Sequence, residues 1–254
     1  MTNSLKVAII GCGRISGHHS RSIIDTEGAE LVAVCDLEIT KADSYRDQFG
    51  AKSYSNYHEM LSENPAINTV VIATPSGMHF EHALEIITRY KKNVIVEKPT
   101  FMKPSQVLEV YSRAAEIGVQ VFAVFQNRHN LAVTRVLKGL EDGELGAIRS
   151  LAVRVRWCRP QRYYDLAPWR GTFALDGGCL TNQGIHHIDL LRKFGGEVLK
   201  VSSVLRTFGA DIEVEDTASA AILFEGGAIG TLEVTTAARP IDYEASISIV
   251  CENG

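Results

Sequence analysis

A lysine and a histidine in this sequence have the chemistry needed at a carbinol. Lys98 follows the apolar run Val94 to Val96 in Glu97-Lys98-Pro99. An ammonium leaving the carboxyl end of a strand can stabilise a developing alkoxide or pass on its proton. From spacing alone, a solvated turn lysine is the favoured reading. His186 lies in Asp176-Gly177-Gly178-Cys179-Leu180-Thr181-Asn182-Gln183-Gly184-Ile185-His186-His187-Ile188-Asp189. On a helix beginning near Thr181, Asn182, His186 and Asp189 stand at i, i+4 and i+7, so all three project from one unusually polar face. Histidine accepts and returns a proton near neutral pH, which makes His186 a natural general base for an alcohol. His187 points about 100° away and reads as structural. The His-His-x-Asp run lacks third and fourth ligands at convincing spacing, so no metal is expected.

The sharpest local signal is VAIIGCGRISGHH. Gly11 permits a tight turn after a buried-type strand, and Gly13 lets backbone N–H groups approach a pyrophosphate at a helix N-terminus, with Arg14 and Ile15 in the same turn. The third position of G-x-G-x-x-G is Ser16, with Gly17 beside it. The second strand ends in Asp36, whose carboxylate can accept both ribose hydroxyls of NAD and would repel a 2′-phosphate. Thr74 and Pro75, in the loop from Ala73 to His79, also leave the carboxyl end of a strand, where ligands of open α/β sheets sit. His79 reads as a helix-entry histidine in that cofactor loop, not as a catalyst. Trp169 and Arg170, preceded by Tyr163-Tyr164, offer an aromatic wall and a guanidinium for an anionic sugar or phosphate, or else cover a core edge. Gln126 and Arg128, just past the fifth strand candidate, either contact cofactor or substrate or satisfy a hinge.

These side chains need elements to hold them. Lys6 to Ile10, Leu31 to Cys35, Thr69 to Ala73, Asn93 to Val96 and Val119 to Phe125 read as strands separated by helix-length segments. Gln106 to Ile117, for example, places Leu108, Tyr111 and Ala115 at helical spacing. Alternating strands and helices imply right-handed βαβ units and a doubly wound parallel sheet, the Rossmann architecture. After about residue 125, longer strands follow one another: Ile148 to Trp157, Val198 to Phe208, Thr217 to Phe224, Ala228 to Thr236 and Glu244 to Val250, with Glu225-Gly226-Gly227 as a hairpin turn. This predicts residues 1–125 as an NAD-binding domain. Residues 126–254 are expected to form a second domain of α+β class with a mostly antiparallel sheet. A further strand would be expected beyond the turn-like Cys251-Glu252-Asn253-Gly254, so that sheet is expected to be incomplete.

Composition narrows the partners. The 254 residues are 45% hydrophobic and 22% charged, proportions that exclude a disordered or fibrous protein. A net charge of −4 provides no global field for nucleic acid or anionic lipid. Apolar runs reach five residues, far short of the ~20 of a membrane span. With no basic leader or small-residue cleavage site at the start, and five scattered cysteines without a C-x-x-C pair, a cytoplasmic protein with reduced thiols is expected.

Taken together, the glycine turn with a histidine following, Asp36, the Thr74-Pro75 loop, Glu97-Lys98-Pro99 and the glycine-rich approach to His186 resemble the glucose-fructose oxidoreductase / inositol dehydrogenase / MocA (Gfo/Idh/MocA) family of NAD(P)-dependent sugar dehydrogenases. The resemblance runs through nearly the whole chain. It implies a Rossmann domain that binds NAD through Gly11, Gly13, Arg14, Ile15, Asp36, Thr74, Pro75, His79, Glu97, Lys98 and Gln126. It also implies Lys98 at the catalytic centre, His186 as proton acceptor and, in residues 126–254, a substrate-binding and oligomerisation domain whose large open sheet forms a homodimer or homotetramer. The stretch from Trp157 to Asp189, with Asp211 to Thr217 and Thr235 to Pro240, looks like the branch that oxidises the 3-hydroxyl of UDP-linked N-acetylated glucosamine or its uronic acid, with Arg128, Trp169, Arg170, Asn182, Gln183 and His186 around the substrate. Many members carry Asp where this chain has Asn182. A free-sugar or inositol dehydrogenase, and a dinucleotide-binding sensor without turnover, are the competing readings.

Overall fold

A computed structural model describes residues 4–254. The chain divides into two compact units, Met1–Val124 and Phe125–Gly254.

The first unit is built on six parallel strands: β1 (Leu5–Ile10), β2 (Ala29–Cys35), β3 (Lys52–Tyr54), β4 (Thr69–Ile72), β5 (Asn93–Val96) and β6 (Val121–Ala123), in the order β3-β2-β1-β4-β5-β6. Between them run α1 (Ser16–Ile24), α2 (Ile39–Phe49), α3 (Tyr57–Glu63), α4 (His79–Glu85) and α5 (Pro104–Ile117). Ala8, Ile10, Val70, Ile72, Val94 and Val96 pack against Met60, Leu61, Ala83, Val110 and Ala114 of α3, α4 and α5. Val7, Ile9, Leu31 and Val71 pack against Ile23 and Ala42 of α1 and α2. Successive residues point to opposite faces, and both faces are covered, which is why these strands read as unbroken apolar runs.

Two features of this unit go beyond what the sequence pattern announces. β3 is a sixth strand that the sequence did not announce, because three half-polar residues at a sheet edge carry too little pattern. On α5 the buried stripe is Val110 and Ala114, whereas Leu108 is 72% exposed and Tyr111 42% exposed. Both stripes have helical spacing, and only the position of the sheet selects between them.

The second unit opens with α6 (Leu131–Glu141) and contains α7 (Gln161–Tyr164) and α8 (Ile185–Gly195). Its five strands are β7 (Ile148–Arg156), β8 (Val198–Arg206), β9 (Thr217–Phe224), β10 (Ile229–Thr235) and β11 (Glu244–Cys251), in the order β11-β7-β10-β9-β8. Pairing is antiparallel except between β10 and β7. One sheet face, from Leu151, Val153, Val155, Ile222, Phe224, Leu232 and Val234, packs on Val133 of α6 and on Leu190, Leu191 and Phe194 of α8. Among the described residues, no helix is long and apolar enough to cross a membrane, and no group of three or more potential metal ligands occurs.

Candidate active site

In the first unit, the strand order reverses between β1 and β4, and three loops leave the carboxyl ends of β1, β4 and β5, with Asp36 at the end of β2. Gly11 sits at φ +93°, and a Cβ there would come within 2.6 Å of the Ala73 carbonyl oxygen, so only glycine fits. The turn is closed from inside by the Ser16 hydroxyl, which donates to the Gly11 carbonyl. Ser16 is fully buried, so a small hydroxyl takes the place of the fingerprint's third glycine. Asp36 accepts the Cys12 N–H through Oδ2 and the Glu38 N–H through Oδ1, each at 2.9 Å. Its carboxylate is thereby fixed at the strand end while retaining acceptor capacity for ribose hydroxyls. Among the described residues, apart from its own chain neighbours, nothing lies within 4 Å of where a Gly13 side chain would begin. The open flank at Gly13, the N-terminus of α1 and the fixed carboxylate fit a dinucleotide. Arg14 and Ile15 are exposed at the same turn.

The Thr74-Pro75 loop and the Glu97-Lys98-Pro99 loop are joined by His79. One of its ring nitrogens meets the Thr74 carbonyl at 2.9 Å, and the other meets the Pro99 carbonyl at 2.8 Å. Burial pushes its imidazole below the usual range, against the pull of those two carbonyls. His79, 1% exposed, therefore clamps the two loops from beneath. Thr74 reaches His82 at 3.1 Å through its hydroxyl. Glu97 is buried, and burial would raise its pKa. The hydrogen bond from His19 at 2.8 Å and that from the Lys98 backbone N–H at 3.0 Å outweigh this and hold the carboxyl below the usual carboxylate range. His19, on α1, is thus tied through Glu97 to the backbone of Lys98. A pairing across 78 positions leaves no trace in local spacing.

In the second unit, the polar helix face takes a different form from the one expected. Residues Cys179–Gln183 form a π-helical turn, and α8 begins only at Ile185. Gly184 at the junction lies against Val234, where a Cβ would come within 2.9 Å of a Val234 methyl. His186 and Asp189 remain on α8, but Asn182 belongs to the turn. Its Nδ2 donates to Oδ1 of Asp176, a carboxylate 3% exposed that also accepts the Gly171 N–H at 2.7 Å. The structure therefore supplies, from six residues upstream, a carboxylate beside position 182.

Gln126 Nε2 lies 3.4 Å from His186 Nε2, and the Phe125 ring stands edge-on to the imidazole at 6.2 Å. An amide N–H that donates to Nε2 occupies that nitrogen's lone pair, so a substrate hydroxyl would have to displace the Gln126 amide before Nε2 could act as a base. Arg128 grips Asp189 through both oxygens, at 2.7 and 2.5 Å, and so ties the segment after residue 125 to α8. His187 is buried edge-on to Trp157 at 6.0 Å. The Arg170 guanidinium lies over the rings of Tyr163, at 4.4 Å, and Trp169, at 4.7 Å. Its Nη1 donates to the Tyr163 hydroxyl at 2.5 Å, and Gln183 Nε2 donates to the same oxygen at 3.0 Å. Sequence position marks Tyr163 only as part of an aromatic wall. The role of its hydroxyl depends on partners 7 and 20 positions away.

Two family models match in sequence order. The NAD-binding Rossmann fold of the Gfo/Idh/MocA oxidoreductases matches residues 5–125, and the Gfo/Idh/MocA C-terminal domain matches residues 133–254. The chain is similar to the crystallised WlbA dehydrogenase from Bordetella pertussis, in complex with NADH and UDP-GlcNAcA. Identity is 36%, coverage 99% of this chain and 72% of that one, and the TM-score 0.94. It is 30% identical to the glucose-6-phosphate 3-dehydrogenase of Bacillus subtilis (strain 168), over 73% of this chain and 52% of the relative, so it spans about half of that protein. It is 23% identical to the myo-inositol 2-dehydrogenase of Thermotoga maritima, over 90% of this chain and 68% of the relative. With both halves matched in order and a WlbA dehydrogenase 36% identical over 99% of this chain, this chain belongs to the Gfo/Idh/MocA oxidoreductase family.

Proposed function

We propose that this protein is an NAD-dependent dehydrogenase acting on a secondary hydroxyl of a sugar, C3 of a UDP-linked N-acetylated hexosamine or its uronate. The observation that carries the reading is the gathering, on one edge of the parallel sheet, of an open glycine turn, a fixed Asp36 carboxylate and the Lys98 loop. Similarity to a WlbA dehydrogenase crystallised with NADH and UDP-GlcNAcA supports the substrate class.

NAD bound there supplies an acceptor for the hydride that leaves the carbinol carbon. Gly11, Gly13, Arg14 and Ile15 seat the pyrophosphate, and Asp36 holds the adenosine ribose. His186 removes the hydroxyl proton through Nε2, and Lys98 stabilises the alkoxide as its charge develops. Trp169, Arg170, Asn182 and Gln183 surround the sugar. Assembly as a homodimer or homotetramer through the second sheet belongs to the same proposal, supported by the exposed apolar side chains of β8.

The test is the formation of reduced nicotinamide with NAD and a panel of UDP-sugars, sugar phosphates and free polyols. Turnover of a UDP-N-acetylhexosamine or its uronate is expected, and Lys98→Ala or His186→Ala should lower it by about 10²- to 10⁴-fold while NAD binding survives. Full activity in both variants would refute these roles. Oxidation of free inositol or glucose 6-phosphate alone would transfer the reading to those relatives' chemistry. NAD binding with no alcohol oxidised would point to a sensor.

A further inference from the structure

We infer that Tyr45, on α2, is a positioning residue for the cofactor: its hydroxyl fixes the peptide after Gly13 so that the Arg14 N–H is held ready for the pyrophosphate of NAD. This rests on the reading of the glycine turn as an NAD site, and deepens it by naming the side chain that sets the turn's shape from outside.

Gly13 cannot set that shape itself. It is exposed, it has no side chain, and its backbone is permissive. What holds it is its carbonyl oxygen, which accepts from the Tyr45 hydroxyl at 2.7 Å and from the Ser16 N–H at 3.2 Å. The shorter of these bonds comes from a residue 32 positions along the chain. A trans peptide sends its C=O and N–H in opposite directions, so the bond to Tyr45 turns the Arg14 N–H away from that phenol. Among the described residues this N–H meets no acceptor. The Gly11-Cys12 peptide is pinned in the same manner, by the Ser16 hydroxyl on its carbonyl, but its N–H is already committed to Asp36. Arg14 therefore supplies the donor that the turn keeps for an anion, beside the start of α1, where the N-cap residue Ile15 makes no side-chain hydrogen bond.

Tyr45 is itself held in place. Its ring meets that of Phe49 at 5.6 Å, and the Arg21 guanidinium of α1 lies over Phe49 at 5.9 Å. Both rings pack on the cluster that contains Val7, Ile9, Ile23 and Ala42. Burial pushes the Tyr45 phenol above its usual range, so it keeps its proton and remains a donor. A peptide aimed before the ligand arrives spares binding the cost of ordering it.

Calorimetric titration of the full chain with NAD tests the assignment. Tyr45→Phe keeps the ring against Phe49 and removes only the hydroxyl. It should weaken NAD binding about 3- to 10-fold, while the melting temperature of the cofactor-free chain stays within about 2 °C of wild type. In turnover the loss should appear in the KM for NAD with kcat within about twofold, because the variant leaves Lys98 and His186 as they are. Gly13→Val, which fills the open flank, should weaken NAD more than Tyr45→Phe does and reports on the site itself. Unchanged affinity in Tyr45→Phe, a loss matched by a lower melting temperature, or a loss confined to kcat would overturn the inference. If Gly13→Val also leaves NAD affinity unchanged, the reading of the turn as the cofactor site falls with it. If Gly13→Val weakens binding and Tyr45→Phe does not, that reading stands and the role of Tyr45 alone fails.

Discussion

Strands β4 and β10 show how differently the two units reach stability. All four residues of β4 are buried, because helices cover both faces of the parallel sheet. β10 alternates, with Gly230, Leu232 and Val234 buried and Ile229, Thr231, Glu233 and Thr235 exposed or half-buried, because helices cover one face only. On the other face Arg156 pairs with Glu233 at 2.6 Å and Glu244 at 3.2 Å. β8 is exposed along its whole length, including Val201 at 54% and Val204 at 64%. A sheet buried on both sides tolerates little, whereas one with a single buried face leaves a surface on which side chains can change without touching the core.

Three substitutions measure that contrast. The largest effect is expected for Ile72→Ala in β4, which removes a fully buried side chain from a packed face and should lower unfolding stability by about 2–5 kcal/mol in denaturant titrations. A cost under about 1 kcal/mol would mean that this core is looser than its burial implies. An intermediate, pH-dependent effect is expected for His187→Leu in the second unit. Burial lowers the His187 pKa from 6.5, so the unfolded chain binds that proton more readily than the folded one. Wild-type stability should therefore fall as pH drops through about 6.5 and level off below the depressed folded value, and the variant should show a shallower fall between about pH 7.5 and 5.5. An unchanged slope would show that other groups carry the dependence. The smallest effect is expected for Val201→Ser on β8, within about 0.5 kcal/mol by thermal melting. A cost approaching that of Ile72→Ala would show that this face is covered in solution.

Much of the first unit was legible because its signals are local. β-branched runs marked five strands, the glycines at 11 and 13 marked the turn, and an acid at the end of the second strand marked Asp36. The second unit yielded its strand sequence and its hairpin at Gly226-Gly227, but the helix expected across Thr181 to Asp189 breaks at Gly184. The glycine at that junction answers to Val234, a strand residue 50 positions away in the chain, whose methyl a Cβ at 184 would approach to 2.9 Å.

From its order of residues alone, this chain determined its class, its glycine turn and the identity of the side chains able to move protons, since each depends on neighbours within a few positions. Tertiary structure decided which face of α5 is buried, that His19 holds Glu97, that Asp176 holds the Asn182 amide, and that Gln183 and Arg170 meet at the Tyr163 hydroxyl. Those outcomes require groups distant in the chain to meet at hydrogen-bond distance, and periodicity carries no information about such meetings.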